Sequence, residues 1–306
     1  MIPFVTQPSL SLGFITIHAF GLIVAISAFT GDWLYRRRLA SLQLDPQVGA
    51  ALGWWALTFG FVGAHLFSLV FYFPEKLARQ PWLVFKLWED VSSFGGMLGG
   101  ALGALLFLLM RARTIGVRAR WAYLDAAAFV LPFAWAIGRI ACALAHDHPG
   151  GVTSFPLAIS LRSDAAQRFI LGVYADAGRR LPTGLPLTDF GFHDLGWYEC
   201  LYLFLLVAPL FVWLNRYRQQ LTATPGFWLA AFALVYAPMR IGLDTLRLAD
   251  ARYGGFAPGQ YAAVSLLIGG LVAWFFGRRI DARSASQSLK ALQPHADNAN
   301  NITPSE

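Results

Sequence analysis

Residues 121–150 read WAYLDAAAFV LPFAWAIGRI ACALAHDHPG. The run from Trp121 to Ala145 meets the length a bilayer-spanning helix needs, about 20 mostly apolar residues. Arg139 sits inside it, although an arginine within a span costs roughly 2.5–3.5 kcal/mol on insertion scales, so such a side chain faces a protein interior or a wet cavity and has a partner. His146, Asp147 and His148 follow before Pro149 and Gly150 stop the helix. This stretch predicts a membrane helix that ends in chemistry.

Composition agrees. Of the 306 residues, 57% are hydrophobic, 15% aromatic and only 13% charged, against roughly 25% charged in soluble domains. The net charge of +7 would suggest nucleic acid only if the basic residues formed a face on a soluble fold. They fall between apolar runs instead, so no nucleic-acid partner is expected. Residues Met1 to Leu12 lack a basic n-region, so the first apolar run reads as a retained span rather than a cleaved signal. Cys142 and Cys200 show no metal spacing and read as small buried residues.

Seven apolar runs are long enough to span: about 14–35, 49–73, 92–110, 121–145, 196–214, 226–246 and 258–277. Arg36, Arg37 and Arg38, then Arg111, Arg113, Arg118 and Arg120, then Arg216 and Arg218, and finally Arg278, Arg279, Arg283 and Lys290 occupy alternate gaps. The positive-inside rule therefore predicts an all-α membrane protein with seven transmembrane helices, the N-terminus outside and the C-terminus cytoplasmic. Residues 1–283 form a single membrane domain. Within it, residues 73–90, with Trp82, Phe85 and Trp88 among charges, read as an interfacial external arm. Residues 151–194 read as a small external head with strand-like runs at Phe155–Leu161 and Phe169–Tyr174. Residues 284–306 are polar and read as a disordered cytoplasmic tail. Gly95, Gly96, Gly99, Gly100 and Gly103 give small-xxx-small spacing, which reads as close helix packing.

Arg139 and His146 are seven residues apart and share a face if the helix runs that far. One reading is an anionic-substrate pocket, Arg139 clamping phosphate and a histidine or aspartate accepting a proton; the other is a snorkelling arginine above a solvated cap. No metal is expected, because His146, Asp147 and His148 are adjacent and cannot all point at one ion from a regular helix. Arg240, Asp244 and Arg247 share one face of the sixth run, after Pro238, as a ligand-binding or purely structural set. His18 and His65 lie in the first two runs; His65 reads as a satisfied core histidine. His193, Asp194, Tyr198 and Glu199 open the fifth run from the external side, with Asp194 an N-cap.

The chain resembles the bacterial prolipoprotein diacylglyceryl transferase family. The landmarks are His18-x-x-Gly21, Gly95-Gly96 after Ser92-Ser93-Phe94, Gly138-Arg139 with Asp147 and Gly150 beyond, His193 with Leu195 to Glu199, and Arg240-x-x-x-Asp244-x-x-Arg247. The resemblance implies transfer of the diacylglyceryl group of phosphatidylglycerol to the cysteine thiol of a prolipoprotein signal peptide, releasing glycerol phosphate, in the bacterial inner membrane and with no cofactor. It implies that Arg139 and Arg240 bind phosphate and that Asp147 stands where the family usually has Glu. Catalytic roles are expected for Arg139, His146, Asp147 and Arg240, and substrate contacts for His18, His148, Gly150, His193, Tyr198, Glu199, Asp244 and Arg247.

The chain departs from the family pattern at Phe94, commonly His, and Phe20, commonly Tyr, and also at His65 (usually Arg) and Ala145 (frequently Asn). His146 and His148 could replace the missing groups, because histidine titrates near neutral pH. A divergent paralogue that binds phospholipid or lipoprotein without transfer is the alternative. A small transporter ranks third, since no inverted repeat is visible.

Overall fold

Each of the seven apolar runs falls on a helix, and what joins the helices positions the polar residues. The structure, a computed structural model, describes residues 1–12, 15–86, 91–182, 184, 186–248, 250 and 252–292. Its helices are α1 (Ala19–Ser41), α2 (Pro46–Phe71), α3 (Pro74–Arg79), α4 (Ser93–Met110), α5 (Val117–Ala145), α6 (Asp164–Asp176), α7 (Leu195–Tyr202), α8 (Ala208–Tyr217), α9 (Gln219–Thr222), α10 (Phe227–Thr245) and α11 (Pro258–Leu292). A π turn, Leu203–Val207, joins α7 to α8. Among the described residues, five helices are long and apolar enough to cross a membrane: Pro46–Phe71, Val117–Ala145, Leu195–Tyr217, Phe227–Thr245 and Pro258–Ala282; Phe94–Met110 is a shorter apolar helix. The protein is a multi-pass helical membrane protein. Exposed Phe29, Trp54, Leu205 and Met110 suit a surface solvated by lipid tails rather than water.

The first run differs from its sequence reading because Ile15–His18 form a strand, β2, paired with β1 (Ser9–Leu12), so the helix starts only at Ala19. A second, three-stranded sheet of β3 (Pro149–Thr153), β5 (Gly191–Asp194) and β4 (Ile159–Ser160) builds the head. The molecule is therefore not purely α-helical. Residues 169–174, read as a strand, are helical in α6. Ser163 accepts from the Ala166 N–H as its cap, and Ala166, Ile170 and Tyr174 are buried at a spacing of four, a helix period that outweighs the aromatic and β-branched residues between them. The N-terminus completes the head: the Ile2 N–H donates to Ala158 O at 2.9 Å, and Ser160 N–H donates to Ile2 O at 2.7 Å.

The arm is α3 followed by a 3₁₀ turn at Pro81–Phe85; residues 87–90 lie outside the described residues. His65 fastens it: buried in α2, its Nε2 meets the Leu83 carbonyl at 2.8 Å. α11 continues through residues 284–292, which the sequence suggested were tail, while residues 293–306 lie outside the described residues.

α2 and α4 approach backbone to backbone. A Cβ on Gly99 would lie 2.2 Å from Phe59 O, and one on Gly95 would lie 2.4 Å from Gly63 O, so only glycine fits this crossing. The main core lies between α5, the π turn, α8 and α10, with Ala136, Leu203, Phe211, Trp228 and Tyr236 buried together. At the opposite end of α5 from Arg139, Asp125 accepts from the N–H groups of Gly226 (2.6 Å), Trp228 (3.0 Å) and Leu229 (3.3 Å). This supplies from a neighbouring helix the acceptors that the first turn of α10 lacks, and it fixes the register of α10 against α5.

Candidate active site

That register brings Arg139 of α5 and Arg240 of α10 to the same carboxylate. Glu199 of α7 is fully buried. Its Oε1 accepts from Arg139 Nε at 2.7 Å and Trp135 Nε1 at 2.9 Å, and also from the Tyr236 hydroxyl. Its Oε2 accepts from Arg240 Nη1 at 2.8 Å. A buried carboxylate is costly unless its lone pairs are met, and here four donors on two helices, α5 and α10, meet them. Trp135 also lies under the Arg139 guanidinium, 5.2 Å from its ring centre, a cation–π arrangement.

Arg240 has a second anion, Asp244, with Nη2 3.0 Å from Oδ1. Neither Asp244 oxygen makes a contact of hydrogen-bond geometry, so this is an ionic contact. Gly259 at the start of α11 leaves the room, since a Cβ there would lie 2.1 Å from Asp244 Oδ2. The two guanidiniums are thus matched by Glu199 and Asp244. Such an array is oriented before any ligand arrives, which is what favours charge developing in a transition state.

Arg139 reaches the end of its helix through Cys142, Nη1 lying 3.5 Å from Sγ. Cys142, Asp147 and His148 bring their ligand-type atoms within 4.8 Å of one another. Asp147 Oδ1 is in contact with His148 Nδ1. Burial pushes the Asp147 carboxyl up, but the hydrogen bond and charge of His148, with Arg139 beyond, outweigh it and hold the group below its ordinary value. Both cysteines are free, Cys200 buried and Cys142 half-buried.

His146 does not share the face of Arg139. α5 stops at Ala145, and His146 takes the left-handed conformation (φ 50°) as its C-cap, which turns the side chain into the head. There Nδ1 meets Asp194 Oδ2 at 2.6 Å, Nε2 meets Val5 O at 3.1 Å, and the ring stacks on Phe4 at 4.5 Å. Asp194 also caps α7, accepting from Trp197 N–H at 2.9 Å. His146 therefore joins the N-terminal segment, the head and the fifth run.

The remaining residues surround this core at varying remove. His193 Nδ1 lies 2.9 Å from the Tyr198 hydroxyl, and burial holds the His193 imidazole below its ordinary value. Arg247 pairs with Asp250 at 2.9 Å and bridges backbone to backbone with Gly150. A Cβ on Gly150 would lie 2.6 Å from Leu246 O, so Gly150 lets the strand from α5 meet the end of α10. His18 is exposed at the start of α1. Phe94 packs edge-on against Phe67 of α2 at 4.7 Å.

Two buried arginines on separate helices thus converge on one glutamate, and Cys142 links Arg139 to an aspartate–histidine pair. The family model described as prolipoprotein diacylglyceryl transferase matches residues 7–276. The chain belongs to the prolipoprotein diacylglyceryl transferase family. It is 25% identical to the phosphatidylglycerol–prolipoprotein diacylglyceryl transferase of Chromohalobacter salexigens, over 90% of this chain and 94% of that protein. The similarly named protein of Thermosynechococcus vestitus is 28% identical over 87% of this chain and 90% of its own length. That of Legionella pneumophila strain Paris is 25% identical over 90% and 98%.

Three members of the cluster are not apparent as such from sequence reasoning: Trp135, Tyr236 and Cys142. A signal exists for the first two, because each stands four residues before its arginine, one helical turn away.

Proposed function

We propose that the chain transfers the diacylglyceryl group of phosphatidylglycerol to the lipobox cysteine of prolipoproteins in the bacterial inner membrane, releasing glycerol phosphate. The observation that carries this reading is the convergence of Arg139 and Arg240 on Glu199, beside Asp147, in a chain matched along nearly its whole length by the transferase family. The phosphodiester binds against the outer N–H groups of the two guanidiniums. The acceptor sulfur attacks the glyceryl carbon, the carbon–sulfur bond forms, and the carbon–oxygen bond to phosphate breaks. The phosphate goes from one negative charge to two as it leaves, so cations held in place stabilise the transition state more than the ground state.

His146 is reassigned here to holding the head and N-terminus on the bundle, and Gly150 and Arg247 to docking the head on α10. His193, Tyr198 and His18 remain candidate contacts for the headgroup or signal peptide. The orientation that fits has seven spans, with α1 and α4 crossing beside the five longer helices, the head outside and the C-terminus cytoplasmic. Supporting it are the arginine-rich gaps after α1, α4, α8 and within α11, and the placement of the head, Asp147 and the arm at the opposite ends of the helices.

Complementation of a strain depleted of its own transferase tests the reading. Rescue by the wild-type chain and failure by R139A is the expected result. Stable expression without rescue, together with retained phosphatidylglycerol binding, would favour a binding-only paralogue, for which Phe94 and Phe20 in place of His and Tyr would be the reason.

A further inference from the structure

Thiol alkylation needs a group to take the thiol proton, and the described residues offer five histidines. His65 is buried against the Leu83 carbonyl, His146 has both ring nitrogens engaged, His193 faces Tyr198, and His18 lies at the β1–β2 hairpin. His148 alone of these stands beside the arginine cluster. Its Nδ1 faces the Asp147 carboxylate, its side chain is 12% exposed, and its ring lies within 4.8 Å of Cys142, which in turn touches Arg139. Its backbone is fixed as well, the His148 carbonyl accepting from Leu195 N–H at 3.1 Å at the start of the helix that carries Glu199.

We infer that His148 is the general base of the transfer, with Asp147 as its positioning residue; this rests on the function proposed above. A carboxylate facing Nδ1 selects the tautomer with the proton on that nitrogen and leaves the Nε2 lone pair as acceptor. The step balances. The acceptor S–H proton passes to His148 Nε2, the sulfur electron pair forms the bond to the glyceryl carbon, and the carbon–oxygen pair leaves with the phosphate. The imidazolium then returns its proton to solvent or to the departing glycerol phosphate. The aspartate–histidine contact thus gives the chain a proton acceptor beside the arginine cluster.

The test uses the full-length protein in detergent or liposomes, with phosphatidylglycerol and a lipobox peptide. H148A and H148Q are each expected to lose transfer by about 10²- to 10⁴-fold, the range for removal of a general base, while retaining bound phosphatidylglycerol. Added imidazole is expected to restore part of the H148A rate and none of the H148Q rate, because Gln fills the space. D147N, which leaves His148 in place, is expected to lose less, without imidazole rescue. Wild-type transfer by H148Q, or an H148A defect that imidazole leaves unchanged, would overturn the role of His148 alone. A wild-type chain that binds the lipid and transfers nothing would overturn the proposed function, and the role of His148 with it.

Discussion

Arg139 and Arg240 lie on different helices, α5 and α10, yet hold the two oxygens of one carboxylate, at 2.7 Å and 2.8 Å from Glu199. Removing one partner from a buried ion set costs roughly 3–5 kcal/mol, because it leaves uncompensated charge behind. E199Q keeps the shape but turns an NH₂ donor toward guanidinium donors. We expect a marked fall in thermal stability in detergent and loss of phosphatidylglycerol binding. Unchanged melting and binding would show that Glu199 does not organise the arginines.

His146 and His148 differ sharply although only Asp147 separates them. His146 ties Asp194 to Val5 in the buried seam between head and N-terminus. H146A removes the ring contacts to Asp194 and the Val5 carbonyl and leaves a buried acceptor without its donor, a loss of about 1–3 kcal/mol. Limited proteolysis should then cut within residues 1–8, an effect H148A should not share. Equal protection of the N-terminus in H146A and wild type would contradict this assignment.

Asp147 also predicts a pH dependence of stability. Its carboxyl is held below its ordinary value in the folded protein, so folding favours the ionised form. That contribution is fully present above the unfolded-state value of about 3.9 and is lost as the pH falls through the lower folded value. Melting curves of D147N against wild type should therefore converge toward the acid end of a titration from pH 6 downward. Curves that diverge as the pH falls would give the wrong sign.

Gly99 tests the bundle rather than the site. A Cβ there meets the Phe59 carbonyl at 2.2 Å, and backbone cannot yield as a flexible side chain can. G99L should destabilise by at least about 1–3 kcal/mol, the usual cost of overpacking, visible as lowered thermal stability and expression. G53L, at a position with open space around its Cβ, is the control; equal behaviour of the two would argue against the close α2–α4 crossing.

The sequence makes the helices and the two arginines legible because both are expensive signals: long apolar runs belong in lipid, and a charge within one demands a reason. Glu199 is visible only as one polar residue among several opening the fifth run, since its role depends on how α5, α7 and α10 pack, which periodicity does not encode. His146 is misread because its position hangs on a single residue, the left-handed cap that ends α5 one step earlier than the Arg139 face requires. Residues 169–174 are aromatic and β-branched enough to suggest a strand, and only the cap at Ser163 with the four-residue burial period marks a helix. The N-terminal strand addition through Ile2 leaves no local signal, because its partner lies beyond residue 157.

The measurement that bears most directly on the central claim is transfer of labelled diacylglyceryl from phosphatidylglycerol to a lipobox peptide by purified wild type, R139A and R240A. The account predicts transfer by the wild type, with release of glycerol phosphate, and loss of turnover in both variants. Wild-type turnover that survives in either variant would contradict the assignment of the two arginines as the phosphate clamp.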